Sequence, residues 1–257
     1  MPARAAAPGF SFPADCRVVD LLSDVHLEAG MPRTFDALRQ HLTQTPADAV
    51  LILGDLFEVW VGDDARQEGF EAEATAMLRE AARHKRLAFM PGNRDFLIGQ
   101  DWLHDTGVGL LPDPMVWTHG TVQALLSHGD ALCLADTTYL AFRAEVRTAE
   151  WQSRFLAHPL GERRSMARAM RDASQAHHRG SPAAWADVDN DAAAQWLADV
   201  DQTQLVHGHT HRPGKTAIGN GLLRWTLGDW DFDHGPGRGQ LLRSDGHALT
   251  WVQAQAA

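Results

Sequence analysis

The sequence predicts a layered α/β fold that is interrupted by a helical segment. Five short apolar runs each lead into a polar cluster, and runs of this length and composition are typical of buried strands. Helical patterns separate the first three runs, and alternation of strand and helix indicates stacked α and β layers. The five runs are RVVDLL, AVLIL, RLAFM, VQALLS and QLV.

The helical patterns between these runs cover roughly 33–44, with Thr34 as a candidate N-cap, and roughly 67–84. In layered α/β folds, ligands gather beyond the carboxyl ends of the strands. All five polar clusters follow such ends, so we expect them to converge at one place in the molecule.

Two regions do not show this alternation of apolar runs and polar clusters. After about residue 214, the runs GLLRWTLGDW, RGQLLRS and ALTWVQA predict extra strands that close the sheet. Before residue 201, three helical stretches follow one another: DTTYLAFRAEVRTAEWQSRFLAHP, GERRSMARAMRDASQAHH and NDAAAQWLADV. We therefore predict a core of residues 15–133 and 201–257, with a helical insertion at 134–200 that forms a lid over the site.

Length, net charge and cysteine count limit the classes of protein to which this chain can belong. The 257 residues suit one large domain or a domain with an insertion. A net charge of −10 disfavours generic nucleic-acid binding, although residues 143–179 hold eight arginines and four acids. Cys16 and Cys133 are too few for a disulfide framework and suit a reducing compartment. We expect neither a signal peptide nor a membrane-spanning run.

The polar clusters contain residue types that bind metal ions. They are Asp24-Val-His26, Gly54-Asp55, Gly92-Asn93-Arg94, His128-Gly129 and Gly208-His209-Thr-His211. Mixed carboxylate, amide and imidazole ligands suit Mn²⁺, Fe or Zn²⁺ more than Ca²⁺. The neighbouring glycines permit the sharp turns and close backbone approach that such a site needs.

Taken together, the five clusters resemble the calcineurin-like metallophosphoesterase superfamily, and the match spans roughly residues 18–214 in the right order. The resemblance implies an α/β/β/α sandwich and two divalent ions that clamp the attacking and leaving oxygens of a phosphoryl displacement. A ligand that bridges two ions must offer two oxygens, so the Asp55 carboxylate is the natural bridge. The superfamily pattern implies one site of Asp24, His26, His211 and the shared Asp55, and a second of Asn93, His128, His209 and Asp55.

The residue at position 94 bears on the leaving group of the reaction. Most superfamily members carry a histidine directly after the asparagine, and it is assigned as the proton donor to an alkoxide leaving group. An arginine is no general acid at neutral pH, but it can bind phosphate through two donors. The substrate therefore looks like a pyrophosphate, whose leaving phosphate departs without strong protonation. The predicted catalytic residues are Asp55, Asn93 and Arg94.

The sequence segments around the clusters are similar to those of the UDP-2,3-diacylglucosamine pyrophosphohydrolases of lipid A biosynthesis. The segments that carry the resemblance are SDVHLE, GDLFEVWVGDD, PGNRDFLIG, SHGDALCLADTTYLAFR and HGHTHRP. It implies cleavage of UDP-2,3-diacylglucosamine to UMP and 2,3-diacylglucosamine 1-phosphate (lipid X), by water attack at the α-phosphorus with two Mn²⁺ ions. It further implies a peripheral protein on the cytoplasmic face of the inner membrane of a Gram-negative cell. No protein partner is implied.

The same resemblance implies a set of substrate contacts. They are Asn93, Arg94, Asp136, Ser174, His178 and His209. His178 and Ser181 stand where the family often has an asparagine and a lysine, so both depart from its pattern.

Simpler roles are open for several residues. Asp24 and His26 fit a strand-end turn, and Asp55 and Asn93 fit helix caps. His128 fits a surface histidine, Arg94 a surface ion pair and Ser174 a solvated helix position.

His207 lies on an apolar run, so we expect it to be buried and hydrogen-bonded rather than a ligand. Four acids fit either turns or partners that orient the ligands: Asp63, Asp64, Asp95 and Asp130. The insertion's arginines, taken singly, are expected on a solvated face rather than in contact with the substrate.

Two other functions compete with the pyrophosphohydrolase. One is another dimetal phosphodiesterase or nucleotide pyrophosphatase that acts on a soluble substrate. The other is a metal-free scaffold that keeps the fold but binds partners. All seven expected ligand positions hold residues able to bind metal, which disfavours the scaffold.

Overall fold

The computed structural model describes residues 8–11, 15–180 and 187–255, and the side chains of residues 10, 11 and 173–180 lie outside that description. The described strands form two sheets. The first has the spatial order β1 (Gly9–Ser11), β6 (Met115–His119), β7 (Val122–Ser127), β8 (Gln204–His207), β10 (Leu223–Thr226), β9 (Gly214–Ala217). The second has the order β11 (Trp230–Asp231), β12 (Arg238–Ser244), β2 (Val19–Leu22), β3 (Ala49–Leu53), β4 (Arg86–Met90), β5 (Gly109–Leu110), and β13 (Leu249–Gln253) pairs with β12.

The two sheets pack face to face, as the strand β3 illustrates. Its alternate residues Leu51 and Leu53 are buried against Trp117 and Leu126 of the first sheet in one apolar cluster. The intervening residues, such as Ile52, belong to the cluster under the outer helices. A strand that is covered on both faces has no solvent side, which is why AVLIL is apolar throughout.

Three helices cover the outer face of the second sheet: α1 (Pro32–Gln44), α2 (Gly69–Ala82) and α3 (Gln100–Thr106). The prediction that Thr34 caps α1 is wrong, because Pro32 at the first helical position starts the helix earlier and Met31 is the N-cap. The Thr34 hydroxyl instead donates to Asp233 Oδ2 at 2.8 Å and accepts from the Phe232 amide at 2.9 Å. It thus ties α1 to the chain that follows β11.

Four helices lie in the described part of the predicted insertion: α4 (Thr137–Val146), α5 (Ala149–Leu156), α6 (Leu160–Gly180) and α7 (Asn190–Asp199). The first predicted helical stretch is divided at Thr148, whose hydroxyl caps α5 by accepting from the Trp151 amide at 3.2 Å. The last helix, α7, packs Ala193 and Leu197 against Leu125 and Leu205 of the first sheet. It therefore forms the second outer layer, and the order of layers is the predicted α/β/β/α.

Two details extend the sequence prediction. Strand β1 pairs in parallel with β6, so the first sheet reaches beyond the predicted core boundary at residue 15. The strands after residue 214 do not close a single sheet, because β9 and β10 join the first and β11, β12 and β13 the second. Within the described part of the chain, no helix has both the length and the apolar character needed to span a membrane.

Candidate metal centre

The structure brings all seven predicted ligand residues together at the ends of the strands. Asp24, His26 and His211 offer ligand atoms within 4.8 Å of one another, and Asp55, His128 and His209 form a second such group. Asn93 completes the second group, because its Oδ1 lies 2.9 Å from His128 Nε2 and 2.8 Å from His209 Nδ1. The convergence expected of the polar clusters is thus present.

Asp55 lies between the two groups. Its Oδ2 is 3.9 Å from His26 Nε2, and its Oδ1 is 3.6 Å from His128 Nε2. One oxygen therefore faces each group, which is the arrangement that a bridging carboxylate needs. The Arg94 amide donates to Asp55 Oδ1 at 2.9 Å and fixes the orientation of the carboxylate.

Backbone strain is concentrated at this centre. Positive φ is uncommon for residues with a side chain and persists where the surrounding structure enforces it, often at functional sites. Seven such non-glycine residues occur among the described residues, and five of them are predicted ligands. The five are Asp24 (54°), His26 (52°), Asp55 (52°), His209 (69°) and His211 (53°).

Two glycines let the loops approach the ligands. A Cβ atom on Gly92 would collide with Asp55 Oδ1 and the Asp55 amide nitrogen, and one on Gly208 would collide with Asp24 Oδ2. Neither collision is with the end of a long flexible side chain. Any larger residue at these positions would therefore displace a predicted ligand.

Two histidines are oriented through the ring nitrogen that points away from the centre. His128 Nδ1 lies 2.9 Å from the carbonyl oxygen of Leu53, which leaves Nε2 free to face Asp55 and Asn93. His26 Nδ1 lies 2.8 Å from Glu58 Oε2, although the direction of this contact is poor for a hydrogen bond. Partners of this kind fix the ring orientation of metal-binding histidines and raise their basicity.

Glu58 is a site residue that no sequence motif indicates. It is 8% exposed, and its Oε1 lies 3.1 Å from Arg171 Nε and 3.7 Å from Arg94 Nη1. One buried carboxylate therefore contacts a predicted ligand, a predicted catalytic arginine and helix α6. The only signal in the sequence was its place three residues after Asp55, which does not show where the side chain points.

The structure separates the acids that the sequence left open. Asp95 accepts from the amides of Leu56 (2.7 Å), Phe57 (3.2 Å) and Gly92 (2.8 Å), so it joins the two loops that carry Asp55 and Asn93. Asp130 accepts from Arg143 Nε at 2.7 Å and from the Tyr139 hydroxyl.

The two remaining acids lie further from the centre. Asp63 accepts from the amides of Gly99 (2.9 Å) and Trp102 (3.0 Å), and Asp64 pairs with Arg163 of α6. Asp95 therefore joins two loops of the centre, and Asp130, two residues after His128, binds α4. Asp63 and Asp64 bind other segments.

The electrostatics of the centre fit cations. Burial opposes the charged form of His128, but Asp55, Asp130 and Asp24 outweigh burial and raise the pKa of His128 to about 9. Burial, together with His128, lowers the pKa of His209 to about 4 and keeps that ring neutral. The ring nitrogens of His26 and His211 face each other at 3.2 Å beside the Asp24 carboxylate. This donor set of carboxylates, an amide oxygen and imidazoles fits two divalent ions.

Comparison with known proteins identifies the family. Residues 18–213 match the calcineurin-like phosphoesterases. The chain is 41% identical over 244 residues to the UDP-2,3-diacylglucosamine hydrolase of Ralstonia nicotianae, covering 90% of this chain and 91% of the relative. The chain belongs to the calcineurin-like phosphoesterases and, within them, to the UDP-2,3-diacylglucosamine hydrolase family.

Two further relatives bear the same name. The hydrolase of Bordetella pertussis is 40% identical over 238 residues, covering 89% of this chain and 92% of the relative. That of Xanthomonas axonopodis pv. citri is 40% identical over 244 residues, covering 90% of this chain and 97% of the relative. The similarity therefore extends through the helical insertion as well as the calcineurin-like core.

His207, the remaining histidine of the HGHTH run, has a structural role in this calcineurin-like phosphoesterase. It is fully buried, its Nδ1 lies 2.8 Å from the Gly208 carbonyl oxygen, and its Nε2 lies 3.1 Å from Thr226 Oγ1. Burial lowers the pKa of His207 to about 4, so the ring is neutral. As expected, it is a buried hydrogen-bonded histidine.

The predicted substrate contacts of this hydrolase family are placed in part. Arg94 holds its guanidinium beside the centre, with Nε buried and without a hydrogen bond to any described residue. Asp136 is 8% exposed and caps α4 by accepting from the Tyr139 amide at 2.9 Å. The side chains of Ser174 and His178, and Ser181 as a whole, lie outside the described residues.

Several arginines of the insertion are not on a solvated face. Arg143 contacts Asp130, Arg147 donates to the Gly92 carbonyl oxygen at 2.7 Å, and Arg171 contacts Glu58. Arg163 is 3% exposed and donates to the Val61 carbonyl oxygen. The expectation of a solvated face is wrong for these four, because they attach the insertion to the loops that hold the centre.

Proposed function

We propose that this protein hydrolyses the pyrophosphate bond of UDP-2,3-diacylglucosamine in lipid A biosynthesis. The products are UMP and 2,3-diacylglucosamine 1-phosphate (lipid X). The main support is the position of Arg94 beside a complete set of seven candidate ligands. In addition, the chain is about two-fifths identical to hydrolases named for this substrate.

We assign the ligands as follows. Asp24, His26 and His211 hold one divalent ion, Asn93, His128 and His209 hold the other, and Asp55 contacts both. This mixture of oxygen and nitrogen donors suits Mn²⁺, Fe or Zn²⁺, and Mn²⁺ is the proposed metal because the family resemblance implies it. When bound, two such ions lower the pKa of a water molecule and neutralise charge on phosphate oxygens.

Arg94 stabilises the phosphate groups in this proposal. Its guanidinium is always charged and presents several donors in one plane, which matches phosphate oxygens. It contributes no proton, and the leaving group needs none, because lipid X departs as a phosphate. Asn93 and His209 contact each other at the same centre, and we assign both as further substrate contacts.

The insertion supports an acylated substrate. Five large apolar side chains among the described residues are substantially exposed, and three of them lie on the insertion. These are Leu134 (44%), Phe142 (39%) and Leu156 (42%). Exposed apolar groups next to a polar site suit a ligand with acyl chains. We therefore propose that α4, α5 and α6 form the lid, with Asp136, Ser174 and His178 as further substrate contacts.

The same chemistry sets the proposed location. A substrate with two acyl chains resides in a membrane, so the enzyme meets it as a peripheral protein on the cytoplasmic face of the inner membrane. Arg154 on the insertion keeps 67% of its side chain exposed, so it is able to face anionic headgroups.

The test is UMP release from UDP-2,3-diacylglucosamine with added Mn²⁺. We expect fast release that EDTA abolishes, and no comparable release from UDP-N-acetylglucosamine, which lacks the acyl chains. Asp55→Asn keeps the shape of the side chain but loses its charge, and it should remove at least about 99% of the rate. Turnover of soluble diesters in place of the diacyl substrate would assign the protein to the alternative phosphodiesterase function.

A further inference from the structure

A cavity opens directly beside the candidate metal centre, on the side formed by the C-terminal strands. Its volume is about 490 Å³, and His211 forms part of its wall. The other polar lining residues are Asp229, Arg238, Gln240 and Gln253. Cavities that bind small molecules have volumes of roughly 300–1,000 Å³, so this one has room for a ligand that also reaches the metal centre.

Two glutamines at the cavity have side chains available for a ligand. Gln240 on β12 and Gln253 on β13 are directly opposite each other in the antiparallel ladder. Such a pair has Cβ atoms about 5 Å apart, so both side chains leave the same face of the sheet and line the same cavity. Neither side chain makes a hydrogen bond to any residue in the described part of the chain. Each amide offers both a donor and an acceptor.

A charged pair in the wall of the same cavity lies next to the metal centre. Arg238 donates to Asp229 Oδ2 through Nε at 2.9 Å and through Nη2 at 2.7 Å. The same Asp229 oxygen lies 3.8 Å from His211 Nδ1. Arg238 is half exposed, with 51% of its side chain accessible, so it can also contact a ligand's phosphate or ribose oxygens.

The cavity is separate from the insertion. None of its lining residues belongs to α4, α5 or α6. Four insertion arginines contact Asp130, Gly92, Glu58 and Val61, and none of these four residues lines the cavity. A substrate with a polar nucleotide at one end and acyl chains at the other needs two different surfaces on either side of its pyrophosphate. The insertion supplies apolar side chains, and the cavity supplies polar ones.

We propose that this cavity binds the uridine monophosphate half of the substrate. The α-phosphate lies at the His211 end, and the uracil ring lies at Gln240 and Gln253. Uracil presents an N–H group flanked by two carbonyl oxygens, and a carboxamide complements it by accepting from the N–H and donating to one oxygen. The inference rests on the proposed function and adds the location of the nucleotide.

The first experiment compares the two products as inhibitors of the Mn²⁺-loaded enzyme. In the double variant Gln240→Ala/Gln253→Ala, we expect the inhibition constant for UMP to rise at least about tenfold, because two hydrogen bonds are lost. The constant for lipid X should stay within about twofold. Gln123→Ala is the matched control, since Gln123 is an exposed strand glutamine on β7, far along the chain from the cavity.

A second ligand tests the hydrogen bonds themselves. UMP methylated at N3 of the uracil lacks the N–H donor, so it should bind the wild-type protein about tenfold more weakly than UMP does. The double variant should bind both nucleotides equally. Melting temperatures within a few degrees of wild type would show that the variant is folded.

Three results would overturn the inference. They are an unchanged UMP constant in the double variant, equal losses for UMP and lipid X, and no measurable binding of UMP to the wild-type protein. If the diacyl substrate is not hydrolysed, UMP binding to the Mn²⁺-loaded protein is measured by calorimetry instead. Failure of the proposed function is therefore distinguishable from failure of the nucleotide site.

Discussion

At the scale of single residues, the sequence was most informative where chemistry restricts the choice of side chain. Aspartate, asparagine and histidine after successive strands predicted the centre, because few other residue types bind such metals at a strand end. Glu58 was not predictable in this way. Its role depends on His26, Arg94 and Arg171, which come from three distant segments that only the folded chain brings together.

Glu58 should act as a positioning residue for His26. In Glu58→Gln, the carboxylate opposite His26 Nδ1 becomes a neutral amide of the same size. We expect the apparent Mn²⁺ affinity to fall roughly 10- to 100-fold, with most of kcat restored at saturating Mn²⁺. Titration of activity with Mn²⁺ measures this, and Glu162→Gln, at an exposed acid on α6, serves as control. An unchanged Mn²⁺ dependence of activity in the Glu58 variant would show that Glu58 does not position His26 for the metal.

Arg94 should be specific for a phosphate leaving group. In Arg94→His, we expect kcat on the diacyl substrate to fall roughly 100-fold or more, because the fixed positive charge is lost. The new histidine should not create phosphomonoesterase activity, since the surrounding site is built for a pyrophosphate. Rates on p-nitrophenyl phosphate and on UDP-2,3-diacylglucosamine measure both effects. A variant that gains strong monoesterase activity would contradict the leaving-group argument.

At the scale of elements, the pattern predicted the buried strands well and the contacts of the insertion poorly. A strand such as β3 must be apolar to be covered on both faces. Its own residues therefore indicate a buried strand without information from distant segments. An arginine on a helix gives no such signal, because Arg163 is buried against Val61 whereas Arg154 on the neighbouring helix is exposed. Which of them docks depends on loops that lie about 100 residues earlier in the chain.

The pairing of β2 with β12 provides a test of pH dependence. Asp20 on β2 is opposite Arg243 on β12, and its carboxylate accepts from Arg243 Nε at 2.7 Å and from Thr45 Oγ1. Burial would raise the pKa of Asp20, but the hydrogen bonds from Arg243, His41 and Thr45 outweigh it and lower that pKa to about 2. The stabilisation is therefore complete above the ordinary aspartate pKa and disappears as pH falls towards 2.

Asp20→Asn should consequently lower the free energy of unfolding by about 2 kcal/mol at neutral pH. The difference between wild type and variant should shrink steadily below about pH 4. Urea unfolding at several pH values measures it. Asp36→Asn, at an exposed acid that pairs with Arg39, should change stability little. A difference that grows on acidification would contradict the argument.

At the scale of the whole molecule, the order of layers was predictable, but the membership of the layers was not. The alternation of strands and helices predicted α and β layers, and the family resemblance implied the sandwich. The local pattern of α7 resembles that of the preceding helices, yet α7 packs on the first sheet through Ala193 and Leu197. Similarly, β1 joins that sheet only because β6, about a hundred residues later, offers it an edge.

The proposed metal centre should direct water to the α-phosphorus of UDP-2,3-diacylglucosamine. The most direct measurement is hydrolysis in water enriched in the heavy oxygen isotope, with Mn²⁺, followed by mass spectrometry of both products. We expect one heavy oxygen in UMP and none in 2,3-diacylglucosamine 1-phosphate. Heavy oxygen in the lipid product, or no cleavage of this substrate, would contradict it.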